Sequence, residues 1–245
     1  MPERCDYVND SLKLIQKTEG LTFGTDALLL AGYIRGKYES GCELGGGSGI
    51  ISMLLLTREK LKSCVCIEVQ EEYAELILRN AELNRLTDRL TPVHADVRDY
   101  RCEHTFDIVF TNPPYMKTTS GLNNTLDKKS IARHEVMGDI EDFARSAKRL
   151  LKFGGVFAAV YRPDRITDLI CAMRNQSLEP KRITFVHADT DSEPSMVLVE
   201  ARAGGKSGNI VTRPLIIYAD KQHKVYSADM NYIMENGSFP EEFRR

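Results

Sequence analysis

Glu43-Leu44-Gly45-Gly46-Gly47-Ser48-Gly49 runs directly into the apolar stretch Ile50 to Leu56, and this is the form of a strand turning through a glycine loop into a helix. Glycines at such a turn let the backbone approach a ligand closely, and open α/β sheets bind ligands at the C-terminal ends of their parallel strands. The spacing excludes two familiar ligand loops. A dinucleotide turn needs G-x-G-x-x-G, but counting from Gly45 the third glycine falls on Ile50. From Gly46 the second falls on Ser48, and from Gly47 the third falls on Ser52. A P-loop fails because no Gly-Lys-Ser/Thr follows at the required distance.

Around this turn, apolar runs alternate with helical patterns from about residue 40 to residue 185, the sequence form of βαβ units on a parallel sheet. Strands are predicted at Gly41 to Leu44, Cys64 to Val69, Leu90 to His94, Phe106 to Thr111, Gly155 to Tyr161 and Arg182 to His187. The clearest helix is Glu71 to Leu86, with Tyr73, Leu76, Ile77, Leu83 and Leu86 on one face. A second spans Asp139 to Leu151 and ends before Gly154-Gly155. A further strand, Ser195 to Ala201, follows its predecessor through a connection too short for a crossover helix, so it must pair antiparallel. The spacing also predicts a helix over Ala27 to Ile34, with Thr25 or Asp26 as its cap. One domain accounts for the chain: a helical segment over 1–37, a catalytic core over 38–203 and an appendage over 204–245.

The 245 residues carry a formal charge of −2, which argues against a strongly basic nucleic-acid coat and leaves room for a local patch. Six cysteines (Cys5, Cys42, Cys64, Cys66, Cys102, Cys171) form no C-x-x-C pair, so neither a zinc knuckle nor a disulfide framework is expected. Cys64 and Cys66 read as small buried strand residues. No run approaches the roughly twenty apolar residues of a membrane span, and a soluble cytoplasmic protein is expected, with no metal.

Asn112-Pro113-Pro114-Tyr115 closes the run Phe106 to Phe110. Proline lacks an N–H and biases its predecessor away from helix, so the ladder stops here and polar groups are displayed on a stiff loop. The Asn112 amide oxygen and the Pro113 carbonyl offer two acceptors to one NH2 group, and Tyr115 offers a stacking face. A planar amine is the substrate this suits. Such an amine is a weak nucleophile because its lone pair is delocalised, and holding both hydrogens would turn that pair toward a methyl donor.

The glycine loop fits E-x-G-x-G-x-G and resembles motif I of S-adenosylmethionine-dependent methyltransferases. The sheet is similar to that Rossmann-like class I fold: seven strands, mostly parallel, the last inserted antiparallel, with helices on both faces. The resemblance implies a cofactor site of Gly45, Gly47 and Gly49 with Glu43 at the ammonium of the methionine moiety. Glu68 would take the ribose hydroxyls, beside Val69, and Asp96 the adenine amine, beside Val97. As structure alone, Asp96 would cap a helix. Within this class the chain resembles the N-P-P-Y amino methyltransferases, and most closely the bacterial enzymes that methylate N6 of adenine 37 in a valine tRNA. That narrower resemblance rests on Phe23 to Leu30, Thr111 to Tyr115, Ile131-Ala132-Arg133-His134-Glu135, and Leu215 to Tyr218 with Tyr226. It implies S-adenosylmethionine as methyl donor and tRNA, not DNA, as substrate, with Thr25 and Asp26 over the methionine end or simply capping their helix. Lys117, Lys128, Lys129, Arg133 and His134 would meet RNA phosphates, a surface that Arg145, Lys148, Arg149, Lys152, Arg162 and Arg165 could extend. The rivals are an N5-glutamine methyltransferase of a release factor, disfavoured by the short stretch before the glycine loop, a ribosomal RNA guanine-N2 methyltransferase, and a non-catalytic RNA-binding module. A DNA adenine enzyme would need a target-recognition domain for which there is little room.

Overall fold

In the computed structural model, residues 2–18, 23–113 and 138–244 are described. Strands β1 (Glu3–Asn9) and β2 (Leu12–Lys17) form a hairpin, followed by α1 (Thr25–Tyr33), β3 (Tyr38–Leu44), α2 (Ile50–Thr57), β4 (Leu61–Glu68), α3 (Glu71–Leu83), β5 (Leu90–His94) and β6 (Phe106–Thr111). Then come α4 (Ile140–Leu150), β7 (Leu151–Tyr161), α5 (Ile166–Asn175), β8 (Leu178–His187), β9 (Pro194–Ala203), β10 (Ile210–Val211), β11 (Leu215–Ile216) and α6 (Ala228–Asn236).

The sheet order is β10-β8-β9-β7-β6-β3-β4-β5, with β11 also on β8. β9 lies antiparallel between β7 and β8, as the short connection demands. The seven expected strands are present, and the two short strands β10 and β11 extend the sheet to nine among the described residues. Register aligns the strand ends that matter: Leu44 faces both Ile67 and Thr111, so the residues just beyond β3, β4 and β6 share one edge.

Both faces of the sheet are covered. Cys42, Leu44, Val109 and Phe157 pack against Phe143, Ala147 and Leu169 of α4 and α5 on one side. Ile108, Phe110 and Ala158 pack against α1 and α2 on the other. Cys42, Cys64 and Cys66 are buried strand residues, as expected.

The predicted helical segment over 1–37 is corrected: its first part is the β1–β2 hairpin. Leu12 and Leu14 are buried while Lys13 between them is exposed, which is strand periodicity. Asn9 Oδ1 accepts N–H and O–H bonds from Ser11, both at 2.9 Å, and so turns the chain between the two strands. Helix α3 stops at Leu83 rather than Leu86, because Arg85 adopts a left-handed φ of 57°. Leu83 consequently lies 40% exposed instead of joining the core face. Strand β7 begins at Leu151 rather than Gly155, since α4 passes straight into an extended Leu151 that pairs with Phe106. The 204–245 appendage is fastened to the body: Leu215, Ile217, Met230, Ile233, Phe239 and Phe243 join the core on the α1 face.

Candidate active site

The edge formed by the ends of β3, β4 and β6 carries the glycine loop, Glu68 and Asn112. Gly46 sits where a Cβ would meet Cys66 Sγ at 2.1 Å, so the loop packs onto β4 with no room for a side chain. Gly47 has φ +55°, and a Cβ there would meet nothing within 4 Å. One glycine is needed for close packing; the next borders open space a ligand can enter.

Glu68 is buried and spans the mouth of this loop. Its Oε2 accepts the Gly47 N–H at 2.9 Å and its Oε1 the Gln70 N–H at 3.0 Å. Gln70 Nε2 also donates to Oε1, at 3.5 Å, so Oε2 retains a lone pair for a further donor and Oε1 takes one in place of that long bond, which suits a pair of vicinal hydroxyls. Val69 follows it half-buried, its carbonyl 3.0 Å from His94 Nε2. His94 thus ties the end of β5 to the end of β4.

Glu43 departs from expectation. It is 1% exposed, and its Oε2 accepts the Ser52 N–H at 3.1 Å together with the Ser52 hydroxyl. Cys66 Sγ lies 3.5 Å from the same oxygen. The carboxyl therefore ties the start of α2 to β3, buried and engaged within the chain where an exposed ligand of an ammonium was expected. Burial is the main cause that pushes its pKa up to about 7, against hydrogen bonds from Ser52 that act to lower it. A carboxyl that binds its proton more tightly folded, at about 7, than at its ordinary 4.5 adds stability at low pH that is lost as pH rises through 7. Wild-type stability is expected to fall by up to about 3 kcal/mol between about pH 4.5 and pH 7.5 from this group alone. Glu43→Gln should flatten that stretch in urea titrations; an unchanged slope would show that Glu43 is not the group titrating.

Asp96 is engaged by its own neighbour. Arg98 donates its backbone N–H at 2.8 Å and Nε at 2.9 Å to Asp96 Oδ1. The Arg98 hydrogen bonds hold the Asp96 carboxyl below its ordinary range. It neither caps a helix nor stands free for an adenine amine without sharing its oxygens. Val97 beside it is buried, and its carbonyl accepts from Ser146 Oγ at 2.7 Å and Arg149 Nη2 at 2.8 Å.

At the end of β6, Thr111 is fully buried and donates to the Leu44 carbonyl at 2.8 Å, which pins β6 to β3 at the base of the site. Asn112 Nδ2 then donates to Asp26 Oδ2 at 2.8 Å. Its Oδ1 is buried and has no hydrogen-bond partner among the described residues. A buried unpaired carbonyl oxygen carries a free-energy penalty, and at a ligand-facing edge it marks a place for a donor to arrive. The Asp26 bond sets which end of the amide faces that place.

Asp26 is not a cap. The N-cap of α1 is Gly24, with no side-chain bond, and Asp26 Oδ1 instead accepts the Ala27 N–H at 2.9 Å. Thr25 is exposed at the same turn. Asp26→Ala frees the Asn112 amide to rotate and is expected to lower kcat by about 10- to 100-fold. Steady-state kinetics check this, and an unchanged kcat would remove Asp26 from the positioning role.

One residue escaped the sequence. Asn80 is fully buried on the inner face of α3, where its Nδ2 donates to the carbonyls of Ser48 at 3.1 Å and Ile15 at 2.9 Å. It joins the hairpin to the glycine loop. Its signal was a polar residue in register with Tyr73, Leu76 and Ile77.

Pro113 is buried beside Asn112. Pro114, Tyr115, Lys117, Lys128, Lys129, the motif 131–135, and with it Arg133 and His134, lie outside the described residues. The further basic residues are largely occupied within the chain. Arg145, Arg162 and Arg165 pair with Asp142, Asp164 and Asp168, Lys152 with Asp107, and Arg149 with backbone carbonyls. Among the described residues no cluster of three His, Cys, Asp or Glu side chains could hold a metal ion, and no helix is long and apolar enough to cross a membrane.

A mostly parallel sheet with one inserted antiparallel strand, a glycine loop after β3, an acid closing β4 and Asn-Pro after β6 is the architecture of a class I S-adenosylmethionine-dependent methyltransferase. Solved structures share it. An Agrobacterium tumefaciens protein described as a predicted O-methyltransferase superposes with a TM-score of 0.70 at 23% identity, covering 88% of this chain and 98% of its own. M. jannaschii TYW2 in complex with AdoMet gives 0.58 at 16%, covering 82% and 85%. The chain belongs to the methyltransferase small domain family, whose model matches residues 18–166. Curated relatives carry the name tRNA1(Val) (adenine(37)-N6)-methyltransferase. The protein of that name from Dyadobacter fermentans is 26% identical over 72% of this chain and 73% of its own. One from Porphyromonas gingivalis is 29% identical over 73% of each.

Proposed function

We propose that this protein transfers a methyl group from S-adenosylmethionine to the exocyclic N6 amine of an adenine in tRNA, with adenine 37 of a valine tRNA as the target. The observation that carries the reading is the buried Oδ1 of Asn112, without a partner among the described residues, on an amide held through Nδ2 by Asp26 at the edge shared with the glycine loop. It is an acceptor waiting for an N–H. The names of the relatives choose adenine in tRNA among the planar amines that would fit.

The open side of Gly47 and the two-oxygen face of Glu68 fit the cofactor. Gly45, Gly47, Gly49 and Glu68 would hold it, with Thr25, Val69 and Val97 at its borders and Asp96 at the adenine once Arg98 shares that carboxylate. The bound cofactor supplies a methyl group on a sulfonium leaving group. Asn112 Oδ1 accepts one hydrogen of the substrate amine, and the Pro113 carbonyl takes the other. Both bonds draw the nitrogen out of conjugation and aim its lone pair. The nitrogen forms the new N–C bond as the S–C bond breaks with its pair onto sulfur, leaving S-adenosylhomocysteine, and the surplus proton passes from the product nitrogen to water. Tyr115 supplies the stacking face for the extruded base in this reading. No strong base is needed.

Methyl-labelled S-adenosylmethionine incubated with separate pools of tRNA, ribosomal RNA, DNA and a release factor tests the substrate. Label in tRNA is expected. Label on a release-factor glutamine or on ribosomal guanine would replace adenine in tRNA with that acceptor.

A further inference from the structure

β8 runs parallel to β6, so the residues just beyond His187 lie on the same edge of the sheet as Asn112. The C-terminal segment builds a stack of three rings there. The Tyr218 N–H donates to the Ala188 carbonyl at 2.8 Å, which anchors the middle ring. The Tyr218 ring stacks on His223 with centroids 4.7 Å apart and planes 17° from parallel, and on Tyr226 at 5.3 Å and 20°. The middle ring packs against the core, whereas the outer two face water, Tyr226 at 40% exposure and the His223 side chain at 43%.

The loop between the rings is fixed more firmly than an exposed turn requires. Asp220 accepts the N–H groups of Gln222, Lys224 and Val225. His223 takes a left-handed φ of 56°, a conformation that costs energy for a non-glycine residue. Its Nε2 lies 2.8 Å from Asp189 Oδ2, and Asp189 Oδ1 is itself held by the N–H groups of Asp191 and Ser192, each at 2.9 Å. Two cations rim the stack: Lys221, paired with Asp191, and Lys224, which is exposed and has no ion-pair partner among the described residues.

Aromatic faces presented to water beside lysines are the equipment of single-stranded nucleic acid binding, where bases extend an existing stack. We propose that the Tyr226–Tyr218–His223 stack is a platform for an unpaired base of the RNA, several nucleotides along the strand from the base that enters at Asn112. This rests on the RNA reading of the catalytic site. β11, which leads into Tyr218, pairs with the outer edge of β8, and β8, β9 and β7 lie between it and β6, so the platform stands four strand spacings, about 19 Å, from the catalytic asparagine. At about 3.4 Å per stacked nucleotide that is about five to six nucleotides, the scale of a loop in a folded RNA.

The test uses the full chain and two variants, Tyr226→Ala and Tyr226→Phe. Binding is followed by quenching of a 2-aminopurine placed in single-stranded RNA, beside S-adenosylmethionine affinity and methylation kinetics on tRNA. Tyr226→Ala is expected to abolish the quenching and to weaken RNA binding about 5- to 100-fold. KM for tRNA should rise by a similar factor, with kcat and cofactor affinity near wild type. Tyr226→Phe, which keeps the ring, should behave as wild type. Wild-type RNA affinity and quenching in Tyr226→Ala would overturn the platform while leaving the catalytic reading intact. Loss of quenching in that variant, with no RNA methylated by any form, would keep the platform and remove the tRNA reading. A wild-type protein that binds no RNA would end both.

Discussion

Asn112→Ala is expected to bind S-adenosylmethionine within about threefold of wild type and to lose about 10²–10³-fold in turnover. The side chain touches Asp26 and leaves Oδ1 unpaired among the described residues, while none of its described bonds reaches the glycine loop or Glu68. Removing it therefore strips an acceptor from the reacting amine and leaves the cofactor cradle standing. Asn112→Asp should not rescue. It would replace the amide donor, 2.8 Å from Asp26 Oδ2, with a second carboxylate, and like charges at that range disfavour the fold of the site. Single-turnover methylation with calorimetric cofactor binding separates the two quantities. A variant with near-normal turnover would remove Asn112 from the chemistry, and one that fails to bind cofactor would make it a structural residue.

The second large effect is on stability. Glu200→Ala is expected to cost about 3–5 kcal/mol, because it strands a buried cation. Arg182 lies with its guanidinium carbon 3.7 Å from the centroid of the Tyr33 ring, on the face of α1. Its Nη2 donates to the Tyr33 carbonyl at 2.8 Å and to Glu200 Oε2 at 2.7 Å, while Nη1 has no hydrogen-bond partner among the described residues. The side chains of Arg182 and Glu200 are 6% and 14% exposed, so water cannot replace a lost carboxylate readily. At about 2–4 °C per kcal/mol for a chain of this size, Tm should fall by about 6–20 °C. Glu200→Gln keeps an acceptor and should cost about 1–2 kcal/mol. Combining Arg182→Met with Glu200→Leu removes both charges and should recover most of the loss, whereas a pure packing defect would be made worse. The pair sits at the end of α1 remote from Asp26, about 10 Å along a nine-residue helix. Activity per folded molecule should therefore be unchanged below the transition.

The parallel core was legible because its strands are apolar runs ended by unmistakable breakers. Phe106 to Phe110 stops at Asn112-Pro113, and Gly45 to Gly49 ends β3 as the glycine pattern requires. The antiparallel β9 followed from loop length alone. The hairpin at the start was missed because its alternation, Leu12 and Leu14 around Lys13, is short and set among polar residues. Glu43 looked like a ligand because an acid before a glycine loop has that office in the family it resembles. In a strand, however, neighbours face opposite ways. Cys42 and Leu44 point to the α4 side, which turns Glu43 toward α2 and Ser52. The Asp96–Arg98 engagement was available from a spacing of two residues, but an aspartate beside an arginine is too common to single out. Asn112 was found from its neighbours in sequence. Its orientation depends on Asp26, 86 residues away, and that pairing exists only in the folded chain.

The central claim is that Asn112 presents an exocyclic amine for methylation, and the product atom tests it most directly. tRNA is incubated with the protein and S-adenosylmethionine carrying a deuterated methyl group, then digested to nucleosides and analysed by mass spectrometry, wild type beside Asn112→Ala. The account predicts deuteromethyl on N6 of adenosine with the wild type and background levels with the variant. Label on a ring carbon or a ribose oxygen, or N6 label at equal levels with Asn112→Ala, would contradict it.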